Sequence, residues 1–134
     1  MMWRWTVGVT LAAAAAACAP NDASSRAPIE QGRLYTTWLY GSQFDKLWDR
    51  FSPEMRQTFG SVSELASFAG RAVSRLGPEH GVVDERVERA SAFQVYSRTA
   101  SFDHARHRML LEWSLGPDGQ VTGLVLRPAP DSTR

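Results

Sequence analysis

The chain contains very little cysteine: Cys18 is the only one among its 134 residues. A single cysteine excludes a disulfide bond within the chain, so the fold has no covalent cross-link to support it. Cys18 directly follows a run of six alanines. The position of this cysteine therefore says more about its role than the number of cysteines does.

The chain also lacks an excess of charge of either sign. It has 15 Lys and Arg against 14 Asp and Glu, and from Ala19 onward the balance is 14 against 14. Proteins that bind nucleic acids neutralise phosphates with a basic face, which leaves a surplus of Lys and Arg. We therefore expect no nucleic-acid partner.

Familiar catalytic motifs are missing as well. The sequence has neither a Gly-x-Ser-x-Gly elbow nor a Ser-x-x-Lys pair, and it has no Gly-rich phosphate loop. The run Asp103-His104-Ala105-Arg106-His107 contains the residue types of a metal site. However, residues three apart on a strand point to opposite faces, and His104 falls in a predicted turn. We predict no metal ligands, no cofactor and no catalytic residues.

Residues 1–17 have the pattern of a signal peptide. Met1–Trp5 carries one positive charge, and Thr6–Ala17 is an apolar run of 12 residues. At ~1.5 Å per residue such a run is too short to span the ~30 Å hydrocarbon core of a membrane. A charged start, a short apolar run and small residues at its end instead predict cleavage after Ala17.

The stretch Ala15-Ala16-Ala17-Cys18 resembles a bacterial lipobox, in which the cysteine becomes the lipidated first residue of the mature protein. Ala15 departs from the pattern, because leucine is usual there. The resemblance implies that Cys18 carries fatty-acid chains such as palmitate, with residues 18–28 as a flexible tether. We predict a lipoprotein anchored to a membrane of the bacterial cell envelope, facing the periplasm or the exterior. Ordinary cleavage and secretion in soluble form is the alternative.

Residues 29–77 have helical patterns. Phe44, Leu47, Trp48 and Phe51 recur at i, i+3, i+4 and i+7, the apolar stripe of an amphipathic helix, and we predict that this stripe lies in the core. Ser52-Pro53-Glu54 ends that helix and begins another. The predicted helices are Ile29–Tyr40, a second that begins at Ser42 or Gln43, a third at Pro53–Phe59, and a fourth that Ser61 caps and Gly77 ends.

Residues 82–127 have the alternating pattern of strands. The predicted strands are separated by short connectors of four residues, and short connectors join antiparallel neighbours. We therefore predict an α+β fold in which four helices precede a four-stranded antiparallel meander, with the curved sheet wrapping the helices. The four strands are Val82–Glu88, Phe93–Phe102, Arg108–Leu115 and Val121–Arg127.

Turns of four residues also predict the register of the strands. Tyr96 then lies opposite both Glu85 and Trp113, and Trp113 lies opposite Thr122. The sheet face toward the helices becomes largely apolar in this register. Its apolar members are Val83, Val87, Ala100, Phe102, Met109, Leu111, Leu124 and Leu126.

One polar group interrupts that apolar face and forms the candidate site. It consists of Glu85, Tyr96, Arg98 and Thr122, with Trp113 beside them. A charged arginine on a covered face is costly unless it is paired, and Glu85 lies diagonally within reach of Arg98. One interpretation is a pocket floor that holds an anionic or polar ligand, with Arg98 as the anchor. The other is a structural Arg–Glu pair without a ligand.

Two parts of the sequence resemble a known family. They are the run Leu34-Tyr35-Thr36-Thr37-Trp38-Leu39-Tyr40 with Phe44–Met55 after it, and Val95–Phe102. Both are similar to the uncharacterised bacterial domain found in front of secreted serine hydrolases, either of the penicillin-binding-protein or β-lactamase kind or α/β-hydrolases. The resemblance implies a nuclear-transport-factor-2-like (cystatin-like) cone over residues 29–128, with 129–134 as a tail. No hydrolase follows in this chain, so an accessory role would be exercised on a separate protein.

Three functions remain open at this point. The first is a non-catalytic envelope lipoprotein whose domain binds a small ligand or a partner protein. The second is a cavity enzyme of the isomerase or dehydratase type, which the resemblance implies, with Glu85 or Tyr96 in proton transfer. The third is a homodimerisation module that pairs through the outer face of the sheet. The apolar residues predicted on that face are Val95, Leu110, Val121 and Val125.

Overall fold

The computed structural model of the chain describes residues 27–131, and the predicted signal peptide and Cys18 lie outside the described residues. Four helices come first and an open, four-stranded antiparallel sheet follows, which confirms the predicted α+β order. None of the helices in this range is long and apolar enough to cross a membrane. The elements are α1 (Pro28–Tyr40), α2 (Phe44–Arg50), α3 (Pro53–Phe59), α4 (Val62–Leu76), β1 (Glu79–Ala90), β2 (Phe93–Phe102), β3 (Met109–Leu115) and β4 (Val121–Pro128).

The ends of the helices follow from local sequence signals. α3 begins after Ser52, whose hydroxyl accepts a hydrogen bond from the Met55 amide at 3.3 Å. α4 begins after Ser61, whose hydroxyl accepts one from the Glu64 amide at 3.1 Å. Gly77 ends α4 with a φ of 70°, in the left-handed region that favours glycine. The predicted caps are thus confirmed.

The sheet has the strand order β1-β2-β3-β4, so β1 and β4 are its edges. The predicted register between β2 and β3 is confirmed: Tyr96 lies opposite Trp113, and Arg98 lies opposite Leu111. The central hairpin therefore places Tyr96 and Arg98 on the sheet face that the helices cover.

The predicted register of the first hairpin is wrong by two residues. Glu85 lies opposite Arg98 instead of Tyr96, because the turn contains only residues 91–92 rather than four. A shift of two preserves the face of each side chain, so Glu85 still points toward Tyr96 and Arg98. Val83, predicted to face the helices, is 48% exposed because a register irregularity interrupts the strand there.

The predicted register of the last hairpin is wrong as well. Trp113 lies opposite Leu124 instead of Thr122, because the turn spans residues 116–120 and a bulge then adds one more residue to β4. The bulge also changes the face of Val121. That residue was predicted on the outer face but is fully buried in the core.

The core lies between the helices and the inner face of the sheet. Leu47 and Phe51 are buried and Phe44 and Trp48 are partly buried against them, which confirms that the apolar stripe of α2 belongs to the core. Full burial of one such side chain contributes ~1.5–3 kcal/mol. The other large side chains buried in this core include Tyr35, Leu39, Met55, Leu65, Tyr96, Leu111, Trp113, Leu115 and Val121.

Candidate functional site

Five polar side chains meet at the β1 edge of the sheet, and we call them the ionic cluster: Arg33, Glu79, Glu85, Tyr96 and Arg98. The two glutamates lie on β1, Tyr96 and Arg98 lie on β2, and Arg33 reaches them from α1. Two arginines and two glutamates give the cluster no formal net charge. Three of the five predicted site residues are therefore brought together.

Glu85 stands at the centre of the ionic cluster. Arg33 Nε donates to both of its carboxylate oxygens, at 3.0 and 3.1 Å. Tyr96 Oη donates to Glu85 Oε2 at 2.6 Å, and Arg98 Nη1 donates to the same oxygen at 3.3 Å. The hydrogen bonds from Arg33 outweigh the desolvation of this carboxyl and, with that from Tyr96, lower the pKa of Glu85 to about 2. Glu85 therefore stays ionised near neutral pH.

Arg98 joins the two glutamates of the cluster. Its Nε donates to Glu79 Oε2 at 3.0 Å and its Nη2 donates to Glu79 Oε1 at 2.5 Å, a bidentate pair. The side chains of Arg98 and Glu79 are only 18% and 15% exposed. The hydrogen bonds with Glu79 raise the pKa of Arg98, so the guanidinium remains charged.

The Tyr96 hydroxyl is held between opposite charges. Burial raises the pKa of Tyr96 to about 12, and the hydrogen bond to Glu85 acts in the same direction. Arg98 Nη1 also donates to Tyr96 Oη, at 3.4 Å, and opposes the rise. The phenol therefore stays protonated and donates to the carboxylate at neutral pH.

Gly32 explains why α1 approaches this part of the sheet so closely. A Cβ atom at position 32 would lie 2.1 Å from the Tyr96 ring, so only glycine leaves space for the ring against the helix. The close approach carries the next residue, Arg33, to Glu85. The sequence prediction missed Arg33, and the only local signal for it was a glycine inside a helix, where glycine is unfavourable.

Trp113 and Thr122 are not part of the ionic cluster. Trp113 is fully buried, and its indole Nε1 donates to Thr36 Oγ1 at 3.0 Å. Thr122 Oγ1 donates to the Ser114 carbonyl at 3.2 Å, within the bulged end of the last hairpin. The register shift in that hairpin removes Thr122 from the position opposite Trp113.

An open cleft of about 510 Å³ lies next to the ionic cluster, and we call it the Glu79 cleft. Its walls come from the ends of α1 and α4 and the adjacent ends of β1 and β2. The Tyr40 and Phe102 rings meet edge to face at 5.7 Å in this region. The lining is otherwise apolar, and Glu79 is its only charged member. The lining residues are Tyr40, Val73, Gly77, Pro78, Glu79 and Phe102.

Two of the three histidines in the described range, His80 and His104, lie against neighbouring residues. His80 Nδ1 lies 2.8 Å from Asp103 Oδ1, and both side chains are about half exposed. The His104 ring lies beside Gly77, where a Cβ atom would come within 2.8 Å of it. Within residues 27–131, no three His, Cys, Asp or Glu side chains are grouped so that they could hold a metal ion.

Comparisons with known proteins add no relative to this description. No protein-family model, no curated protein and no solved structure matches the chain. The resemblance to the nuclear-transport-factor-2-like domain consequently remains a prediction from sequence motifs. The geometry of the ionic cluster and the Glu79 cleft is the basis for a functional proposal.

Proposed function

We propose that the chain is a lipid-anchored protein of the bacterial cell envelope whose domain, a nuclear-transport-factor-2-like cone, binds a ligand without catalysis. The observation that supports this most is the closure of the ionic cluster on itself beside the open Glu79 cleft. Every charge in the cluster has an opposite partner within it, while the neighbouring cleft has a volume in the range of small-molecule sites.

The pKa values of the cluster count against the alternative of a cavity enzyme. A general acid or base works best when its pKa lies near the operating pH. Glu85 has a pKa of about 2 and Tyr96 a pKa of about 12, so each is far from that range. Both groups also make hydrogen bonds within the cluster, and these would have to break before either group could exchange a proton with a substrate.

The Glu79–Arg98 pair suggests which ligand the cleft accepts. Glu79 lines the cleft, and its carboxylate occupies the bidentate face of Arg98. A carboxylate, sulfonate or phosphate on an apolar ligand could take the place of Glu79 on Arg98, while the apolar part lies against Tyr40 and Phe102. Glu85 would keep the rest of the arginine fixed through Nη1.

The outer face of the sheet gives less support to the dimerisation alternative. Val125 is exposed on it, but Leu110 is already buried and Val121 belongs to the core. The same face contains an open groove of about 810 Å³ whose lining includes Asp84, Arg86, Glu112 and Arg127. A concave, charged surface is a poorer homodimer interface than a flat apolar patch.

Binding in the Glu79 cleft is tested with 8-anilinonaphthalene-1-sulfonate, an apolar anion that fluoresces when it leaves water. Glu79→Ala frees the bidentate face of Arg98 and should tighten binding by ~10-fold, about the lower end of the contribution of one hydrogen bond to a charged group. Arg98→Met should weaken binding by a similar factor. Glu54→Ala, which removes one exposed carboxylate from α3 outside the lining of the cleft, is the control and should bind as the wild type does.

Equal affinity of all four proteins for the sulfonate would contradict a site at Arg98. Circular dichroism of each variant shows whether the fold is retained, because a loosened core also binds this dye. A loosened core would raise dye binding, so the gain of Glu79→Ala supports the site only if its circular dichroism matches that of the wild type, whereas the loss expected for Arg98→Met cannot come from loosening.

The lipid anchor is tested separately at Cys18. The wild type should incorporate labelled palmitate and sediment with membranes, whereas Cys18→Ser should do neither and should appear in the soluble fraction. Cys18 is the only cysteine in the chain, so no other thiol competes for modification. Membrane sedimentation that is unchanged by the substitution, with no label on the wild type, would refute the anchor.

A further inference from the structure

The two edges of the sheet are protected to different degrees. β1 has two register irregularities, and its outer side chains form ion pairs such as Arg86–Glu88 at 3.2 Å. Bulges and charges of this kind prevent a foreign strand from pairing with an edge. β4 has one irregularity, at its beginning, and Arg127 is its only charged residue.

Among the described residues, one segment besides β3 pairs with the backbone of β4, and it covers only the first residue of the strand. Phe51 forms a parallel bridge with Val121, and the Ser52 amide donates to the Val121 carbonyl at 2.9 Å. From residue 122 to residue 127, the outward backbone groups of β4 have no strand partner within the described part of the chain. This leaves a free edge about six residues long.

A narrow apolar crevice lies between this free edge and α4. Phe68 stands at its rim with 55% of the residue exposed, the most exposed large apolar side chain in the described range. The crevice has a volume of about 50 Å³, which matches one small apolar side chain rather than a whole ligand. Its lining residues are Leu39, Phe68, Ala69, Ala72, Val73, Leu124 and Leu126.

We propose that the β4 edge binds an extended segment of another envelope protein, which adds to the sheet as a fifth strand and inserts one apolar side chain into the crevice. Strand addition combines backbone hydrogen bonds to a free edge with pockets for alternate side chains, and both are present between β4 and α4. The segment would lie along residues 122–127.

The charges beside the crevice indicate which residues flank that apolar side chain. From Ala69 to the end of α4 the only charged residues are Arg71 and Arg75, and both are exposed. Arg127 lies on the outer face of β4, where Glu112 pairs with it at 3.7 Å, so Arg71 and Arg75 alone form the basic rim of the crevice. A basic rim favours a segment in which acidic residues flank the apolar one.

Residues 19–26 do not offer a suitable strand for this edge. They are Ala-Pro-Asn-Asp-Ala-Ser-Ser-Arg, which include no large apolar side chain and a proline that cannot donate to a ladder. A segment from a separate protein meets the requirements of the edge better than these residues do.

The proposal is tested by selecting binders from a phage-displayed library of random ten-residue peptides against the full-length chain in detergent. The enriched peptides should alternate apolar and polar residues and contain acids. Amide hydrogen exchange should slow in β4 when such a peptide is added and remain unchanged in β1. A peptide that binds without protecting β4 would overturn the proposal.

Two matched substitutions on α4 locate the apolar contact. Ala72→Phe fills the crevice and should weaken peptide binding by about tenfold, as expected when the pocket for an anchoring side chain is lost. Ala66→Phe makes the same change at a half-buried position of α4 outside the crevice and should have no effect. Equal binding by the two variants would refute a crevice contact.

A second copy of the chain is the competing occupant of the free edge. If light scattering shows a concentration-dependent dimer that Ala72→Phe abolishes, and the library yields no peptide, the proposal is wrong. The proposal shares the envelope location with the proposed function, and Val73 lines both the Glu79 cleft and the crevice. The substituted residues each line only one of the two: Glu79 lines the cleft and Ala72 lines the crevice. Loss of peptide binding in Ala72→Phe with unchanged sulfonate binding therefore distinguishes the failure of one proposal from the failure of the other.

Discussion

Two regions hold α1 against the sheet, and they use different forces. In the ionic cluster, Arg33 binds Glu85 through hydrogen bonds between charged groups that water partly reaches. Near the turn between β3 and β4, the Tyr35 hydroxyl donates to the Gly119 carbonyl at 2.8 Å, and the Tyr35 ring meets the Trp113 ring edge to face at 5.8 Å. We call this second region the aromatic seam. The helix α1 is therefore attached at two points. The contact in the ionic cluster should weaken with changes of pH and salt, whereas the contact in the aromatic seam should not.

The largest loss of stability is expected from Gly32→Ala, because Gly32 determines the distance between α1 and the ionic cluster. The new methyl group would lie 2.1 Å from the Tyr96 ring, so the helix must move away and both regions are disturbed. We expect a loss of ~1–3 kcal/mol or more in the free energy of unfolding, as for other overpacked cores. Urea unfolding of the full chain measures it.

Gly70→Ala provides the control for that substitution. Gly70 lies within α4, and nothing lies within 4 Å of the position its Cβ would occupy. Alanine should be neutral there or stabilise by up to ~1 kcal/mol, because glycine is the weaker helix former. If the two variants were equally stable, close contact at Gly32 would not be what positions α1.

The second-largest loss of stability is expected from Glu85→Gln in the ionic cluster, and this loss should depend on pH. Glu85→Gln removes a carboxylate that accepts five hydrogen bonds from Arg33, Tyr96 and Arg98, and should cost ~1–3 kcal/mol near neutral pH. The pKa of Glu85 is lowered from 4.5 to about 2, so its stabilisation is present above pH 4.5 and is lost as the pH falls toward 2. Urea unfolding at several pH values measures the difference from the wild type, which should shrink over that interval.

The smallest effect is expected in the aromatic seam, from Tyr35→Phe. The substitution leaves the buried Gly119 carbonyl without its donor and removes the acceptor of Arg50 Nε, which lies 3.3 Å from the hydroxyl. We expect a loss of ~1 kcal/mol. The loss should be the same at pH 3 and pH 7 and in 0.1 M and 1 M salt. A salt-dependent loss as large as that of Glu85→Gln would erase the distinction between the two regions.

Much of the fold was predictable from the sequence because its signals are local. Ser52 and Ser61 cap helices, Gly77 ends one, and the spacing from Phe44 to Phe51 defines a buried face. The outer hairpins were less predictable, because turn length and bulges determine register. The two-residue turn at Ser91-Ala92 has no Asn-Gly or Asp-Gly pair to mark it, and Asp118-Gly119 marks the last turn without indicating the bulge that follows it.

The candidate site was predictable only in part. Alternation along two strands placed Tyr96 and Arg98 on one face together with Glu85. Arg33 was not predictable, since 52 residues separate it from Glu85 and only tertiary packing brings it there. Glu79 was missed because the predicted strand began at Val82, while the structure begins it three residues earlier.

The bridge between Phe51 and Val121 has a consequence for the order of events during biosynthesis. It joins the corner between α2 and α3 to the last strand, so the helices that emerge first complete their packing only when the final strand is available. Contacts this distant along the chain slow folding, and they leave the apolar stripe of α2 exposed until then. The domain would thus complete its fold only after almost the whole of residues 27–131 has been synthesised.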